Sequence, residues 1–342
     1  MGERSRRARL AARIGLGLIG LGALAWLVAH SQPAEVLGAL RGLPPSGLLV
    51  LGLFPLGIAL DALAWTRLLA RAGRPTPFVP AYLSRLAAEA VAASLPLGGV
   101  GAEALGPSLL SRRTGLPLTH TVSTSLAKRW VIARAHALYV LVGVGIAASF
   151  APRTAAMRLD VALVTALAIA VASGVAQLSA AHGRPAGATL KALVKLPFLE
   201  PTLDGRAEAF SATDRELSAL ARSGTWDAFV CVLGAWVVEG TETYALLRIV
   251  GLDVDYPSAL AVDGVLTALR SAAVVVPSGL GIQDAGFAAL LGASPACAAF
   301  LVVKRAKELV FVALGYVVLF ALGGPEPAPA PLAGPSPHIP IS

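Results

Sequence analysis

Four ionisable residues lie within long apolar stretches of this chain and are the first candidates for a functional role. Arg85 and Glu89 are four residues apart, and Asp263 and Arg270 are seven apart, so each pair shares one helical face. An unpaired charge is costly in apolar surroundings, and such residues normally mark a pathway. We therefore expect the two segments, whose charges are complementary, to pair with each other. The alternative is that the side chains extend to a nearby water boundary.

Two glycine-rich stretches accompany these charges. The sequence P-L-G-G-V-G-A-E-A starts at Pro96, and P-S-G-L-G-I-Q-D-A-G starts at Pro277. Because proline ends helices and glycine gives a loop its backbone freedom, each stretch predicts a hairpin of two short helices. The predicted turn residues are Pro96, Gly98, Gly99, Gly101, Pro277, Gly279 and Gly281. Glu103 and Asp284 follow the turns, where each either caps the second helix or contacts a substrate.

Basic residues outnumber the acids that lie near them in two further segments. These residues are Lys128, Arg129, Arg134, Lys304, Arg305 and Lys307. If they reach a cavity, they suit a phosphate or another anionic group, which arginine can bind with two hydrogen bonds. If they lie at helix ends, they only determine topology. We expect Arg134 in the cavity and Lys128 at a membrane boundary. Three acids lie within apolar segments (Asp61, Glu239 and Glu242); we expect them to be paired or structurally satisfied, and the alternative is that they couple protons or order the backbone.

The composition indicates an all-α integral membrane protein. Of 342 residues, 56% are hydrophobic and 14% charged, with a mean hydropathy of +0.72. The net charge of +8 suits cytoplasmic loops better than nucleic-acid binding. Cys231 and Cys297 both fall in apolar segments and indicate packing, and the five histidines show no metal spacing. We therefore expect neither a metal nor another cofactor, and no enzymatic activity.

Apolar segments predict about six membrane spans and two re-entrant hairpins within one domain, residues 14–322. The spans are residues 14–29, 48–69, 123–150, 159–181, 226–249 and 296–322. The arginines of residues 1–13 place the N-terminus in the cytoplasm, and a cleaved signal peptide fits less well. Residues 182–222 predict a cytoplasmic loop with amphipathic pieces on the membrane surface, and the proline-rich residues 323–342 predict a disordered tail.

An internal duplication links the two hairpins. The pairs Asp61 and Gly73 recur 178 positions later as Glu239 and Gly251, and Pro96, Gly98 and Glu103 recur 181 positions later as Pro277, Gly279 and Asp284. Repeat one covers about 47–150 and repeat two about 223–322. The first repeat's turn, R-A-G-R-P, is basic, and the second's, G-L-D-V-D-Y-P, is acidic. Opposite orientation follows, and inverted repeats with broken helices are typical of secondary transporters.

The two glycine stretches resemble the paired motifs of the lysylphosphatidylglycerol synthase transmembrane-region family, also called flippase-like domain proteins. The resemblance covers roughly residues 10–322 and includes the aromatic Phe287 after the second motif. The sequence V-K-R-A-K-E-L, residues 303–309, is similar to the R-R-x-R-E-L stretch of the hopanoid-associated branch. The second motif departs from the usual pattern in Asp284, where glutamate is common, and in the extra residue Ser278.

This resemblance implies a multi-pass protein of the bacterial inner membrane that moves lipids across the bilayer. The aminoacyltransferase domain of full-length synthases has no counterpart here, so we expect that activity to be absent. The leading hypothesis is a flippase or transport factor for an anionic or hopanoid-type lipid, with a site between the hairpins. The alternatives are an ion-coupled carrier of a small anion and a non-transporting scaffold for lipid-biosynthesis enzymes. Association with such enzymes and formation of a homo-oligomer are left open.

Overall fold

The computed structural model describes residues 47–94, 98–150, 207–272, 282–292 and 294–322, together with isolated positions at 38–45 and 171–183. Within these ranges the chain is helical and contains no strand. The helices are α1 (Gly47–Val50), α2 (Leu53–Arg71), α3 (Phe78–Ser94), α4 (Gly98–Thr114), α5 (Leu118–Phe150), α6 (Ala207–Arg222), α7 (Trp226–Ile249), α8 (Tyr256–Ala272), α9 (Ile282–Leu291) and α10 (Pro295–Leu322). We call α2–α5 the first half and α7–α10 the second half.

The helices match four of the predicted spans. The predicted span 48–69 forms α1 and α2, the span 226–249 coincides with α7, and the spans 123–150 and 296–322 form most of α5 and α10. Among the described residues, α2 and α7 are long and apolar enough to cross a membrane. The predicted spans 14–29 and 159–181, the basic N-terminus and the tail 323–342 lie outside the described helices.

The helices α2 and α7 pack along each other in antiparallel directions. Arg71 at the end of α2 forms an ion pair with Asp227 at the start of α7, with Nη2 and Oδ1 2.9 Å apart. At the opposite end, Val50 packs in one cluster with Leu246 and Leu247. The central axis of the bundle is therefore a pair of oppositely directed helices.

Both helices of this pair end in the same way. After α2, Gly73 has φ 76° and the Arg74 amide donates to the Leu69 carbonyl; after α7, Gly251 has φ 88° and the Leu252 amide donates to the Leu247 carbonyl. This is a Schellman motif, which needs a left-handed residue and therefore favours glycine. The 178-residue spacing found in the sequence thus recurs in backbone geometry.

One helix of each half packs on a helix of the other half. The first hairpin helix α3 packs on α10, and the corresponding helix α8 packs on α5. Small residues permit both crossings: a side chain on Gly315 would lie 2.5 Å from the Ala90 Cβ, and one on Gly143 would lie 3.3 Å from the Ala261 Cα. Close approach through small residues is a common way for helices to associate in membranes.

The amphipathic helix predicted within residues 182–222 is present as α6. Its apolar residues Leu217 and Leu220 are buried against Ala127 and Trp130 of α5. The apolar face of α6 is therefore covered by protein, and the place of residues 182–222 at the membrane surface stays a prediction.

Candidate functional site

A cavity of about 560 Å³ lies among α2, α3, α4, α5, α7 and α10. Its charged lining residues are the acids Asp61, Glu89, Glu239, Glu242 and Glu308 and the bases Arg85, Arg129, Lys304 and Lys307. The lining is therefore balanced, and the expectation of a mainly basic cavity is wrong for the described residues. The reason is physical: cations buried at this depth are brought together with carboxylates that compensate their desolvation.

The first-half side of the cavity is organised around Asp61. The Asp61 Oδ2 atom accepts hydrogen bonds from Arg85 Nε at 2.5 Å and from Lys128 Nζ at 2.6 Å, and Arg85 also binds Glu89 at 2.8 Å. Lys128 is 2% exposed and its ammonium lies over the Trp65 ring. The expected pairing of Asp61 is confirmed. Lys128, which we expected at a membrane boundary, is buried within the protein and held by this carboxylate.

The acids that follow the two hairpin turns make equivalent contacts. Glu103 binds Arg129 and accepts a hydrogen bond from Ser125 at 3.0 Å. Asp284 accepts hydrogen bonds from Arg305 Nη2 at 2.7 Å and Nε at 3.1 Å. Since α4 begins at Gly98, Glu103 lies too far into the helix to cap it. In both halves the acid after the turn holds the arginine of the lysine–arginine pair.

The second half contributes another buried ion pair. Lys307 Nζ lies 2.5 Å from Glu242 Oε1, and both side chains are nearly fully buried. The Lys307 ammonium also lies over the Phe54 ring of α2, at 5.0 Å from its centroid. Arg305 adds a 2.5 Å contact to Glu308 in the next turn of α10. The pairing expected for Glu242 is confirmed.

Asp263 lies in a separate buried network. Its carboxylate accepts hydrogen bonds from Thr243 at 2.7 Å and Tyr139 at 3.2 Å. Arg85 binds acids of its own half instead, so the expected pairing of Arg85 with Asp263 is wrong. Arg85 pairs with the nearest carboxylates because the attraction between charges weakens with distance, and its own half carries acids beside the hairpin. The side chain of Arg270 lies outside the described residues, so its pairing with the first charged segment stays a prediction.

Arg134 does not line the cavity. Its Nε atom donates to the Trp130 carbonyl at 3.2 Å, and its Nη2 atom donates to Thr225 Oγ1 at 3.1 Å, beside the start of α7. The expectation that Arg134 reaches the cavity is therefore wrong. Its neighbour in sequence Arg129, one turn away on α5, takes that place.

The glycines of the first hairpin are helical. Gly98, Gly99 and Gly101 form the first turn of α4 and not the loop, which corrects the predicted turn. A Cβ at Gly101 would lie 3.6 Å from the Val91 side chain, which is an ordinary contact, so packing does not require glycine there. The remaining predicted turn residues lie outside the described residues; they are Pro96, Pro277, Gly279 and Gly281.

The arrangement suits binding of a charged group. Opposed carboxylates, guanidinium groups and ammonium groups can each exchange a protein partner for a ligand. Among the described residues, no group of three or more His, Cys, Asp or Glu side chains could hold a metal ion. We did not expect Lys128 or Glu242 in the site, yet Glu242 lines the cavity and Lys128 binds the lining residue Asp61. The signal for both was an ionisable residue deep in an apolar helix.

These features define a class of protein: a helical membrane domain whose buried ion pairs surround a central cavity. The chain belongs to the family described as the lysylphosphatidylglycerol synthase TM region, which matches residues 12–323. A comparison with curated proteins finds no match. The chain is therefore a membrane protein related to lipid synthesis, and the resemblance seen in its glycine motifs is confirmed at the level of the family.

Proposed function

We propose that this protein is a flippase or transport factor that moves a lipid across the bacterial inner membrane. The cavity lined by charges from both halves carries the proposal. Its volume of about 560 Å³ is that of a small-molecule site, and its charges suit a polar head group. The head group would occupy the cavity while the acyl chains remain in the bilayer.

Several features favour an inverted repeat, and such a repeat would suit a transporter. The identical helix ends after α2 and α7 and their antiparallel packing favour two related halves of opposite orientation. The equivalent ion pairs Glu103–Arg129 and Asp284–Arg305 support the same relation. Transporters built in this way bind substrate at the interface of the repeats and expose it to either side in turn. We place the N-terminus in the cytoplasm.

The length and the basic ends of the first hairpin favour a re-entrant segment, which enters and leaves the membrane on the same side. The helices α3 and α4 have 17 residues each and pack against one another. Seventeen helical residues span about 26 Å, less than the roughly 30 Å of a bilayer's hydrocarbon core. Both outer ends are basic, with Arg74 before α3 and Arg112 and Arg113 at the end of α4. We propose that both ends face the cytoplasm.

Apolar side chains on the outer faces of the bundle suit contact with lipid. Trp226 and Val230 on α7 and Val317 and Phe320 on α10 are more than half or about half exposed. In water such a surface would be costly, whereas hydrocarbon accepts it. We propose binding and movement of a lipid and no covalent chemistry on it.

The test is lipid translocation in proteoliposomes that carry a fluorescent phosphatidylglycerol, measured by dithionite quenching of the outer leaflet. Arg85→Gln should lower the rate at least tenfold, because Arg85 joins two carboxylates at the cavity. The variant should remain folded, since Asp61 keeps its contact with Lys128.

Arg113→Gln is the matched control, because it removes the same charge at an exposed position outside the cavity. It should translocate lipid like the wild type. If wild-type vesicles translocate no more lipid than protein-free vesicles, the proposed function is wrong. Gradient-driven uptake of a soluble anion by the same vesicles would then indicate a solute carrier.

A further inference from the structure

The cations of the cavity differ in one respect, which is whether a carboxylate holds them. Arg85, Arg129 and Lys307 each contact an acid. Lys304 lines the same cavity, yet no carboxylate of the described residues lies within 4.0 Å of its ammonium. Lys304 is 4% exposed, so water does not replace the missing acid over most of its surface.

Lys128 of the first half is the counterpart of Lys304 and shows which contacts a lysine makes at this position. Lys128 and Lys304 each precede the arginine of a lysine–arginine pair, and each lies over an aromatic ring, Trp65 at 5.4 Å and Phe287 at 5.1 Å. Lys128 also has Asp61 at 2.6 Å. A cation–π contact offsets only part of the cost of burying an ammonium. Among the described residues of the second half, no carboxylate lies as close to Lys304 as Asp61 lies to Lys128.

We infer that Lys304 is the residue that receives the anionic group of the ligand, a phosphate or carboxylate. The inference rests on the proposed function and names the charge of the head group that the cavity selects. A ligand anion restores at Lys304 the pairing that Asp61 gives Lys128. Lipids without an anionic group gain nothing at this position.

Glu239 and Glu242 also line this side of the cavity and restrict what binds there. The Glu242 carboxylate forms its ion pair with Lys307, at 2.5 Å, and attracts the Lys304 ammonium without direct contact. The nearby acids repel a ligand anion unless it contacts the ammonium itself. Recognition is therefore local to one atom, Lys304 Nζ, and not a property of the whole cavity.

The experiment compares Lys304→Gln, Lys304→Arg and the charge-matched control Arg113→Gln, purified in neutral detergent. Native mass spectrometry titrates each protein with phosphatidylglycerol and with diacylglycerol of the same acyl chains. The wild type, Lys304→Arg and the control should prefer phosphatidylglycerol. Lys304→Gln should lose at least tenfold in affinity for phosphatidylglycerol and bind diacylglycerol unchanged.

Thermal unfolding without lipid separates binding from folding. Because Lys304→Gln removes a buried charge that forms no direct ion pair with a carboxylate of the described residues, its melting temperature should equal or exceed the wild-type value. Lys307→Gln removes the ion-pair partner of the buried Glu242 carboxylate, so its melting temperature should be lower than that of the wild type. If Lys304→Gln keeps the wild-type preference for phosphatidylglycerol, the inference is overturned.

A last arm separates a lipid from a soluble anion. If sn-glycerol 3-phosphate binds the wild type as tightly as phosphatidylglycerol and Lys304→Gln abolishes both, the anion site stands and the lipid-transport proposal fails. If Lys304→Gln binds phosphatidylglycerol normally while the wild type translocates it, the inference fails and lipid transport stands.

Discussion

Removing the carboxylate of Asp61 tests whether buried ion pairs hold this bundle together. In Asp61→Asn, Arg85 keeps Glu89, but Lys128, with a side chain 3% exposed, loses its acid. Removing one partner of a buried pair costs about 3–5 kcal/mol. Lys128→Met leaves Asp61 bound to Arg85 and forfeits one charged hydrogen bond, about 1.5–3 kcal/mol. The double variant leaves no buried charge without a partner, so its loss of unfolding free energy should match that of Lys128→Met. The coupling energy between the two substitutions should then be about 3 kcal/mol or more.

The assay is equilibrium unfolding in mixed micelles of neutral detergent and dodecyl sulfate, followed by far-ultraviolet circular dichroism. Asp227→Asn is the control, because its ion pair with Arg71 is more than a third exposed on both sides and should contribute less than about 1 kcal/mol. The reasoning is refuted if Asp61→Asn is no less stable than Lys128→Met. A double variant whose loss equals the sum of the single losses would refute it equally.

The remaining predictions concern glycines. Gly240→Ala should destabilise the fold by about 1–3 kcal/mol, because the new methyl group overlaps the Tyr139 hydroxyl. The control is Gly57→Ala, whose new Cβ would lie 4.0 Å from the Ala235 carbonyl oxygen. It should be neutral or stabilising in the same unfolding assay. Gly251→Ala should cost about 1 kcal/mol, because φ is 88° there; the same unfolding curves measure it, and an unchanged midpoint would contradict the strain.

The sequence predicts helix positions well where an apolar run has clear ends. The helix α7 runs from Trp226 to Ile249 as expected, since a polar segment precedes it and the Gly251 turn follows it. The first hairpin was harder to predict. Glycines favour a loop locally, but Gly98, Gly99 and Gly101 are helical, and α4 packs on α3 further along, where a Cβ on Gly106 would lie 3.4 Å from the Ala88 Cβ.

The charged residues show where sequence reasoning ends. A charge in an apolar helix predicts a partner, and Asp61 and Glu242 have one. Which partner it takes depends on the packing of helices far apart in the chain. For this reason Arg85 pairs with Asp61 and not with Asp263, and Arg134 turns to Thr225 while Arg129 lines the cavity.

The crossing of α10 over α3 at Gly315 bears on the ion pairs of Asp61. The two backbones are in close contact there, because a Cβ on Gly315 would lie 2.7 Å from the Leu86 carbonyl oxygen. The helices α5 and α8 approach each other closely at Gly143. Arg85 lies on α3 and Lys128 on α5, and Asp61 binds both. Any motion that moved α3 and α10 away from α5 and α8 would therefore force the Asp61 carboxylate to release one of its two cations.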